Sequence, residues 1–124
     1  MILADTNILI DFWKSPDPAT EKIFRENEIS TCGVIKAELL RGCNSEKQMN
    51  KINKALDCFE YYDFEESDWQ PLAELFIKLK KSGLSVPFRD AMISILAIKN
   101  ACPLWTKDRH FCLIKEIVPE LELF

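Results

Sequence analysis

The chain of 124 residues lacks the features of several specialised classes of protein. No apolar run approaches the roughly 18 residues that a membrane-spanning helix needs. The N-terminus has neither the basic region nor the small-residue cleavage site of a signal peptide, and no repeat, low-complexity tract or Gly/Ser linker is present. With 48% apolar residues, the composition is typical of a globular protein with a buried core. We therefore expect one cytoplasmic domain over residues 1–124, with no membrane partner.

Soft metal ligands and excess positive charge are also missing. His110 is the only histidine, and no two of the five cysteines have C-x-x-C spacing; they are Cys32, Cys43, Cys58, Cys102 and Cys112. A structural zinc site needs about four such ligands at close spacing, so we expect reduced cysteines in or near the core and His110 at the surface or in packing. The net charge of −4 argues against a broad basic surface that coats nucleic acid. The same net charge is compatible with an enzyme that holds nucleic acid through metal ions and a few local cations.

Apolar periodicity and capping patterns predict alternating strands and helices. Short strands are expected at MILA, EIST, CFEYYDF and PLWT, with LELF as a candidate last strand. Helices are expected at TNILIDFW, DPATEKIFREN, GVIKAELLRGC, MNKINKAL, the segment around Leu72–Leu79 and DAMISILAIKN, with DRHFCLIKEI as a short helix or turn. Ser45 with Gln48 and Ser67 with Gln70 form capping-box patterns. This alternation implies a parallel sheet covered on both faces, whose functional crevice lies beyond the carboxyl ends of its strands.

Four acidic residues occupy positions that such a fold would bring together. Asp5 directly follows the first predicted strand and Asp108 follows PLWT by one residue, so both belong at one edge of the sheet. Asp90 begins the buried helix DAMISILAI, and Glu38 lies on a partly apolar helix face. Taken singly, the aspartates could be helix caps and Glu38 an exposed helical residue. Their agreement in position favours a common site.

Four converging carboxylates would require a compensating cation. Two unit charges ~5 Å apart repel by roughly 3 kcal/mol at an effective dielectric of ~20, and several such pairs would rival the whole stability of a domain, about 5–15 kcal/mol. Removing one charge, as in Asp5→Asn or Asp90→Asn, is then expected to stabilise the metal-free protein slightly. Oxygen ligands favour a hard ion, Mg²⁺ or Mn²⁺. Such an ion accepts phosphate oxygens and supports phosphodiester hydrolysis.

Polar and basic residues beside the four acids could complete the site. Thr6, Asn7 and Thr106 are candidates to orient a carboxylate or a metal-bound water. Basic neighbours could hold substrate phosphates; they are Lys36, Arg41, Arg89, Lys107 and Arg109.

Four segments in order along the chain resemble the acidic motifs of PIN-domain nucleases. They are LADTNILIDF, VIKAELLRG, RDAMISILAIKN and LWTKDRHF, and they contain Asp5, Glu38, Asp90 and Asp108. Size and motif order are similar to those of the VapC-type toxins of toxin–antitoxin pairs. The sequence departs from the family pattern at Ser94, where a small alanine is more usual, and at the bulky pair Leu104–Trp105. Neither departure removes an acid.

The resemblance implies a three-layer α/β/α sandwich with a parallel five-stranded sheet. It implies Mg²⁺- or Mn²⁺-dependent endoribonuclease activity at Asp5, Glu38, Asp90 and Asp108, with Asp5 and Asp90 as the most direct metal ligands. By the same resemblance, the protein would form a homodimer and be neutralised by a cognate antitoxin whose tail enters the active-site groove.

Two other functions remain open from the residues alone. A phosphoacceptor receiver-like domain also places aspartates at strand ends, and here Asp63 follows CFEYY while Thr106 and Lys107 could form its late Thr–Lys pair. Such a domain normally has an early acidic pair, which is absent. Alternatively, the protein is a non-catalytic binding module in which the acids are dispersed helix caps, and then Mg²⁺ would not bind.

Overall fold

Four short segments pair into one parallel sheet. A computed structural model describes residues 1–124, and its strands are Ile2–Ala4 (β1), Ile29–Cys32 (β2), Glu60–Tyr62 (β3) and Leu104–Trp105 (β4). The strand order is β3-β2-β1-β4, and every neighbouring pair is parallel. Both β1 and β2 are buried along their whole length, which explains the nearly continuous apolar sequence of β1. Because the strands run in one direction, residues that follow β1 and β4 meet at the same edge of the sheet.

Seven α-helices connect and flank the strands. They are Thr6–Lys14 (α1), Pro18–Glu26 (α2), Gly33–Arg41 (α3), Glu46–Leu56 (α4), Trp69–Lys81 (α5), Phe88–Lys99 (α6) and His110–Ile117 (α7). The predicted cap of α2 is present, since Asp17 Oδ1 accepts from the Thr20 backbone N–H at 2.9 Å. Beyond α5, Gly83 adopts a positive φ of 79°, the left-handed conformation that glycine favours after a helix. No helix combines the length and the apolar content needed to cross a bilayer.

The core consists of one cluster of 24 buried apolar residues. Helix α6 is buried on several sides, as its apolar sequence predicts; its buried apolar residues are Ala91, Ile93, Ile95, Leu96 and Ala97. Helix α3 contacts α1, α4 and α6, and α7 packs on α5 and α6. The burial of α6 fixes its first turn relative to the strand ends.

All five cysteines are free thiols, but only Cys32 and Cys102 are buried. Cys58 and Cys112 are exposed, contrary to the prediction of core or near-core positions.

The fifth strand expected at LELF is reduced to a single residue pair. Leu123 forms an isolated parallel bridge with Leu104. The Leu104 backbone N–H donates to the Glu122 carbonyl at 2.9 Å, and the Phe124 N–H donates to the Leu104 carbonyl at 2.8 Å. Since β4 has only two residues, it offers too little backbone for a longer partner. The sheet therefore has four strands rather than five.

The capping pattern predicted at Ser67 and Gln70 is replaced by one centred on Asp68. Residues Glu66–Asp68 form a 3₁₀ turn before α5. Oδ2 of the buried Asp68 accepts from the Glu65 backbone N–H at 2.8 Å and from Lys99 Nζ at 3.1 Å. A carboxylate paired with an ammonium group is a stronger acceptor than a serine hydroxyl, so the helix start is organised around Asp68.

Asp68→Ala should lower the free energy of unfolding by about 1–2 kcal/mol, because it removes a cap and leaves Lys99 with one partner fewer. Chemical denaturation at neutral pH measures this loss. Glu66→Ala, at an exposed site of the same turn, is the matched control and should have little effect. Equal losses in the two variants would contradict this role of Asp68.

Candidate active site

Asp5 lies where the carboxyl ends of β1 and β4 meet, and it is only 1% exposed. Its backbone N–H donates to the Trp105 carbonyl at 2.8 Å, which holds the two strand ends together. Oδ1 of Asp5 accepts from the Thr6 N–H at 2.8 Å and caps α1, and Oδ2 accepts from Thr106 Oγ1 at 2.7 Å. The capping interpretation is therefore correct in part. A residue after a second strand also orients this carboxylate.

Glu38 reaches the same place from α3, whose buried residues Ile35 and Leu39 anchor the helix in the core. The Glu38 side chain is half-buried, and its Oε1 accepts from Thr6 Oγ1 at 2.7 Å. Because Thr6 follows Asp5 directly, this hydrogen bond brings the carboxylate of α3 beside the one at the end of β1.

Asp90 lies in the first turn of α6 and is 2% exposed. Its carboxylate accepts no hydrogen bond from the amides at the start of its own helix, so it does not cap α6. Ser94 lies one turn further on, but its hydroxyl donates to the backbone carbonyl of Asp90 at 2.8 Å rather than to the carboxylate. Oδ1 of Asp90 accepts from Arg89 at 2.8 Å. The buried carboxylate of Asp90 is thus paired with the guanidinium of Arg89.

The guanidinium of Arg89 binds all three of these acids at once. Its Nε donates to Glu38 Oε2 at 2.7 Å and its Nη1 to Asp90 Oδ1 at 2.8 Å. Nη2 donates to Asp5 Oδ1. The carboxylates come from the end of β1, from α3 and from α6, which are far apart in the sequence. Arg89 therefore lies at the centre of the acidic cluster.

These contacts change the protonation equilibria of the cluster. Burial disfavours the charged form of Arg89, but hydrogen bonds to Glu38, Asp90 and Asp5 and attraction by Asp5 outweigh it, so the pKa of Arg89 is raised. Burial likewise opposes ionisation of Glu38, but hydrogen bonds from Arg89 and Thr6 and the charge of Arg89 prevail, and the pKa of Glu38 is lowered. At neutral pH Glu38 is therefore a carboxylate beside a permanent cation.

Asp108 and His110 form the exposed side of the site. Asp108 Oδ1 lies 3.4 Å from His110 Nδ1, and the same imidazole nitrogen lies 3.8 Å from Asp90 Oδ2. One ligand atom from each of these three residues falls within 4.8 Å of the others. Thr106 connects this side to the buried one, since its Oγ1 accepts from the Asp108 backbone N–H at 3.0 Å and donates to Asp5. The four acids expected to converge therefore lie in one connected network.

Some residues near the site differ from the sequence-based expectation. Asn7 is exposed and hydrogen-bonds none of the four acids. Lys107, one of the candidate phosphate ligands, pairs with Asp11 instead, and Arg89 faces the acids rather than solvent. His110 was expected at the surface or in packing; it is exposed, yet its imidazole lies against two of the acids. Its position two residues after Asp108 was the signal that sequence reasoning could have used.

The donor set fits a hard divalent cation. Asp90 and Asp108 offer carboxylate oxygens within 4.8 Å of each other, and this is the ligand type that Mg²⁺ and Mn²⁺ prefer. Asp90 Oδ2 accepts no hydrogen bond although the residue is buried, and it faces Asp108 and His110. Thr106 and Thr6 hold the neighbouring carboxylates in fixed orientations. A carboxylate oxygen without a hydrogen-bond donor is an available ligand.

Fold and site together define a class of α/β domain with an acid-rich site at the carboxyl edge of its sheet. Comparison with known proteins gives the family. The family model of the PIN domain matches residues 2–117. Ribonuclease VapC1 of Methanocaldococcus jannaschii is 32% identical over 117 residues, which cover 93% of this chain and 82% of that protein. The chain therefore belongs to the PIN-domain family, and the resemblance seen in the motifs is confirmed.

Solved structures support the same fold. VapBC2 from Rickettsia felis, bound to a DNA fragment from its promoter, superposes with a TM-score of 0.80 at 26% identity and covers 100% of this chain and 98% of that one. VapBC-1 from nontypeable Haemophilus influenzae gives a TM-score of 0.84 at 20% identity and covers 100% of this chain and 97% of that one. The parallel sheet flanked by helices is thus the PIN-domain architecture.

Proposed function

We propose that this chain is a divalent-metal-dependent endoribonuclease of one domain, residues 1–124, and the toxin of a toxin–antitoxin pair. The observation that carries the proposal is the network joining Asp5, Glu38, Asp90 and Asp108 at the carboxyl edge of the sheet. Similarity to a VapC ribonuclease over nearly the whole chain supports RNA as the substrate. Carboxylates and a phosphodiester are both negatively charged, so the acids need a bound cation before they can hold the substrate.

The proposal gives each acidic residue a role. Asp5, Asp90 and Asp108 hold Mg²⁺ or Mn²⁺, and Glu38 completes the acidic site beside them. When bound, the ion supplies Lewis-acid stabilisation of phosphate charge and a nucleophilic water at neutral pH. Thr106 keeps Oδ2 of Asp5 in place, and Thr6 does the same for Oε1 of Glu38. Asn7 is exposed and hydrogen-bonds none of the acids, so the role proposed for it is to orient a metal-bound water.

A groove beside Glu38 is the proposed entry for an antitoxin segment. Apolar side chains from α1, α3 and α4 line it; they are Ile10, Trp13, Leu39 and Ile52. Glu38 lies in the wall of the same groove, so a chain bound there would reach the acids. The two solved relatives are VapBC assemblies, which supports a partner of this kind. We also propose a homodimer, for which exposed Ile77 and Phe88 supply apolar surface.

Two measurements test this function directly. The purified chain should cleave total cellular RNA in Mg²⁺ or Mn²⁺, lose activity in excess chelator and regain it when the metal is restored. Expressed alone, the chain should arrest growth, and co-expression with the neighbouring reading frame should relieve the arrest. Absence of Mn²⁺ binding together with growth unaffected by expression would favour the non-catalytic binding module.

A further inference from the structure

The guanidinium of Arg89 lies between Asp5, Glu38 and Asp90, three of the four acids of the proposed metal site. Its three guanidinium nitrogens donate to Glu38 Oε2, Asp90 Oδ1 and Asp5 Oδ1. Asp5 and Asp90 are almost fully buried, and Arg89 contacts Oδ1 of each. Among the lysines and arginines, Arg89 alone forms ion pairs with more than one acid of the proposed site.

We propose that Arg89 is an intrachain competitor of the divalent cation, and that metal binding requires its guanidinium to leave Asp5 and Asp90. This inference rests on the proposed metal-dependent function. A guanidinium and a divalent ion cannot share the same carboxylate oxygens, since both are cations and would stand within a few ångströms of each other. Oδ2 of Asp5 accepts from Thr106, and Oδ1 accepts from the Thr6 backbone N–H as well as from Arg89. The contact with Arg89 is the one that a side-chain rotation can release.

The position of Arg89 allows this exchange without unfolding. Its side chain is 25% exposed, and it lies in the first turn of α6 next to Phe88, which is 65% exposed. A rotation of its side-chain torsions therefore moves the guanidinium to solvent while the buried part of α6 keeps its packing. Such rotamer changes are fast compared with folding. In metal-free protein Arg89 offsets part of the negative charge of the three acids. The apparent metal affinity is then the intrinsic affinity multiplied by the fraction of molecules in which the Arg89 guanidinium has left the acids.

Metal affinity in the absence of RNA tests the competition. We expect Arg89→Gln to bind Mn²⁺ at least about tenfold more tightly than the unmodified chain, because a binding-competent state populated at 10% or less gives a factor of about ten or more. Titration of free Mn²⁺ followed by electron paramagnetic resonance measures this. In metal-free buffer the same variant should melt at a lower temperature, and Mn²⁺ should raise its melting temperature more than that of the unmodified chain.

Arg109→Gln is the matched control. It removes the same charge next to Asp108, but the exposed Arg109 side chain forms no hydrogen bond or ion pair. Its Mn²⁺ affinity should change by less than about threefold, because exposed charges are screened by salt. A gain equal in both variants would show a general effect of charge and would overturn the inference.

The remaining outcomes separate this inference from the proposed function. If the unmodified chain binds Mn²⁺ and Arg89→Gln binds no more tightly, competition is refuted and the metal site stands. If neither chain binds Mn²⁺, both ideas fail. Should Arg89→Gln not fold, Arg89→Lys provides the same test, since one ammonium cannot span three carboxylates as a planar guanidinium does. It should then bind Mn²⁺ at least about threefold more tightly than the unmodified chain, and equal or weaker binding would refute the inference.

Discussion

Asp90→Asn should abolish RNA cleavage while leaving the fold intact. The amide is similar in shape to the carboxylate but is a poor ligand for Mg²⁺, and Oδ2 of Asp90 has no hydrogen-bond donor and faces Asp108 and His110. Loss of a residue that merely orients a metal ligand already costs about 10–100-fold in affinity or activity. For a direct ligand we expect a loss of at least about 100-fold in cleavage rate. Raising the metal concentration should not restore it.

The matched control for this substitution is Asp63→Asn. Asp63 is an exposed acid that follows the edge strand β3, and its side chain forms no ion pair or hydrogen bond with another residue. The control should therefore cleave RNA normally. It also tests the receiver-like alternative, in which Asp63 would take up phosphate from a small phosphodonor. Full activity in Asp90→Asn, or labelling of the unmodified chain that disappears in Asp63→Asn, would refute the nuclease assignment.

The effect of Asp90→Asn on stability separates a catalytic role from a structural one. Repulsion among the acids alone predicts slight stabilisation of the metal-free protein. The structure changes this expectation, because Arg89 donates to Asp90 Oδ1, so the amide removes an attraction together with the repulsion. We expect the melting temperature in chelator to move by only a few degrees. A large decrease would mean that the carboxylate is needed for folding.

Sequence patterns predicted most of the fold because local chemistry decides it. The apolar run at Ile2–Ala4, the cap at Asp17 and the apolar face of α6 each have one favourable placement in a two-sided sheet. The errors fell where tertiary contacts compete with local preference. Lys99 lies far along the chain from Glu65 and Asp68, yet its ion pairs with both determine which acid organises the start of α5. Similarly, LELF pairs only as far as the two residues of β4 permit.

The sequence predicted where the residues of the candidate site lie in the fold. It did not predict the directions in which their side chains point. Parallel topology alone places Asp5 and Thr106 at one edge of the sheet, and the first turn of a buried helix brings Asp90 there. No sequence rule distinguishes Arg89 from the four other basic neighbours, because only rotamers decide that it faces inward while Lys107 pairs with Asp11. The position of His110 against the acids has the same origin. The cation that repulsion demands is, in metal-free protein, a residue of the chain itself.

Thr106→Val should weaken metal binding by about 10–100-fold, the usual cost of losing a group that orients a metal ligand. The substitution keeps the shape of the side chain and removes one oxygen. That oxygen donates to Asp5 Oδ2 at 2.7 Å and accepts from the Asp108 backbone N–H at 3.0 Å, so it joins the buried and exposed sides of the site. Without it, the carboxylate of Asp5 can rotate, and the turn that carries Asp108 loses an anchor.

Cleavage rate as a function of Mn²⁺ concentration distinguishes this effect from loss of a ligand. In Thr106→Val the maximal rate should be largely recovered at high Mn²⁺, whereas Asp90→Asn should stay inactive. Thr20→Val is the matched control, because Thr20 Oγ1 donates to Asp17 Oδ2 at the same distance of 2.7 Å but at the exposed cap of α2. Its Mn²⁺ dependence should equal that of the unmodified chain. If Thr106→Val also kept that dependence, Asp5 would not need Thr106 to bind metal, and the network would be a feature of the metal-free protein only.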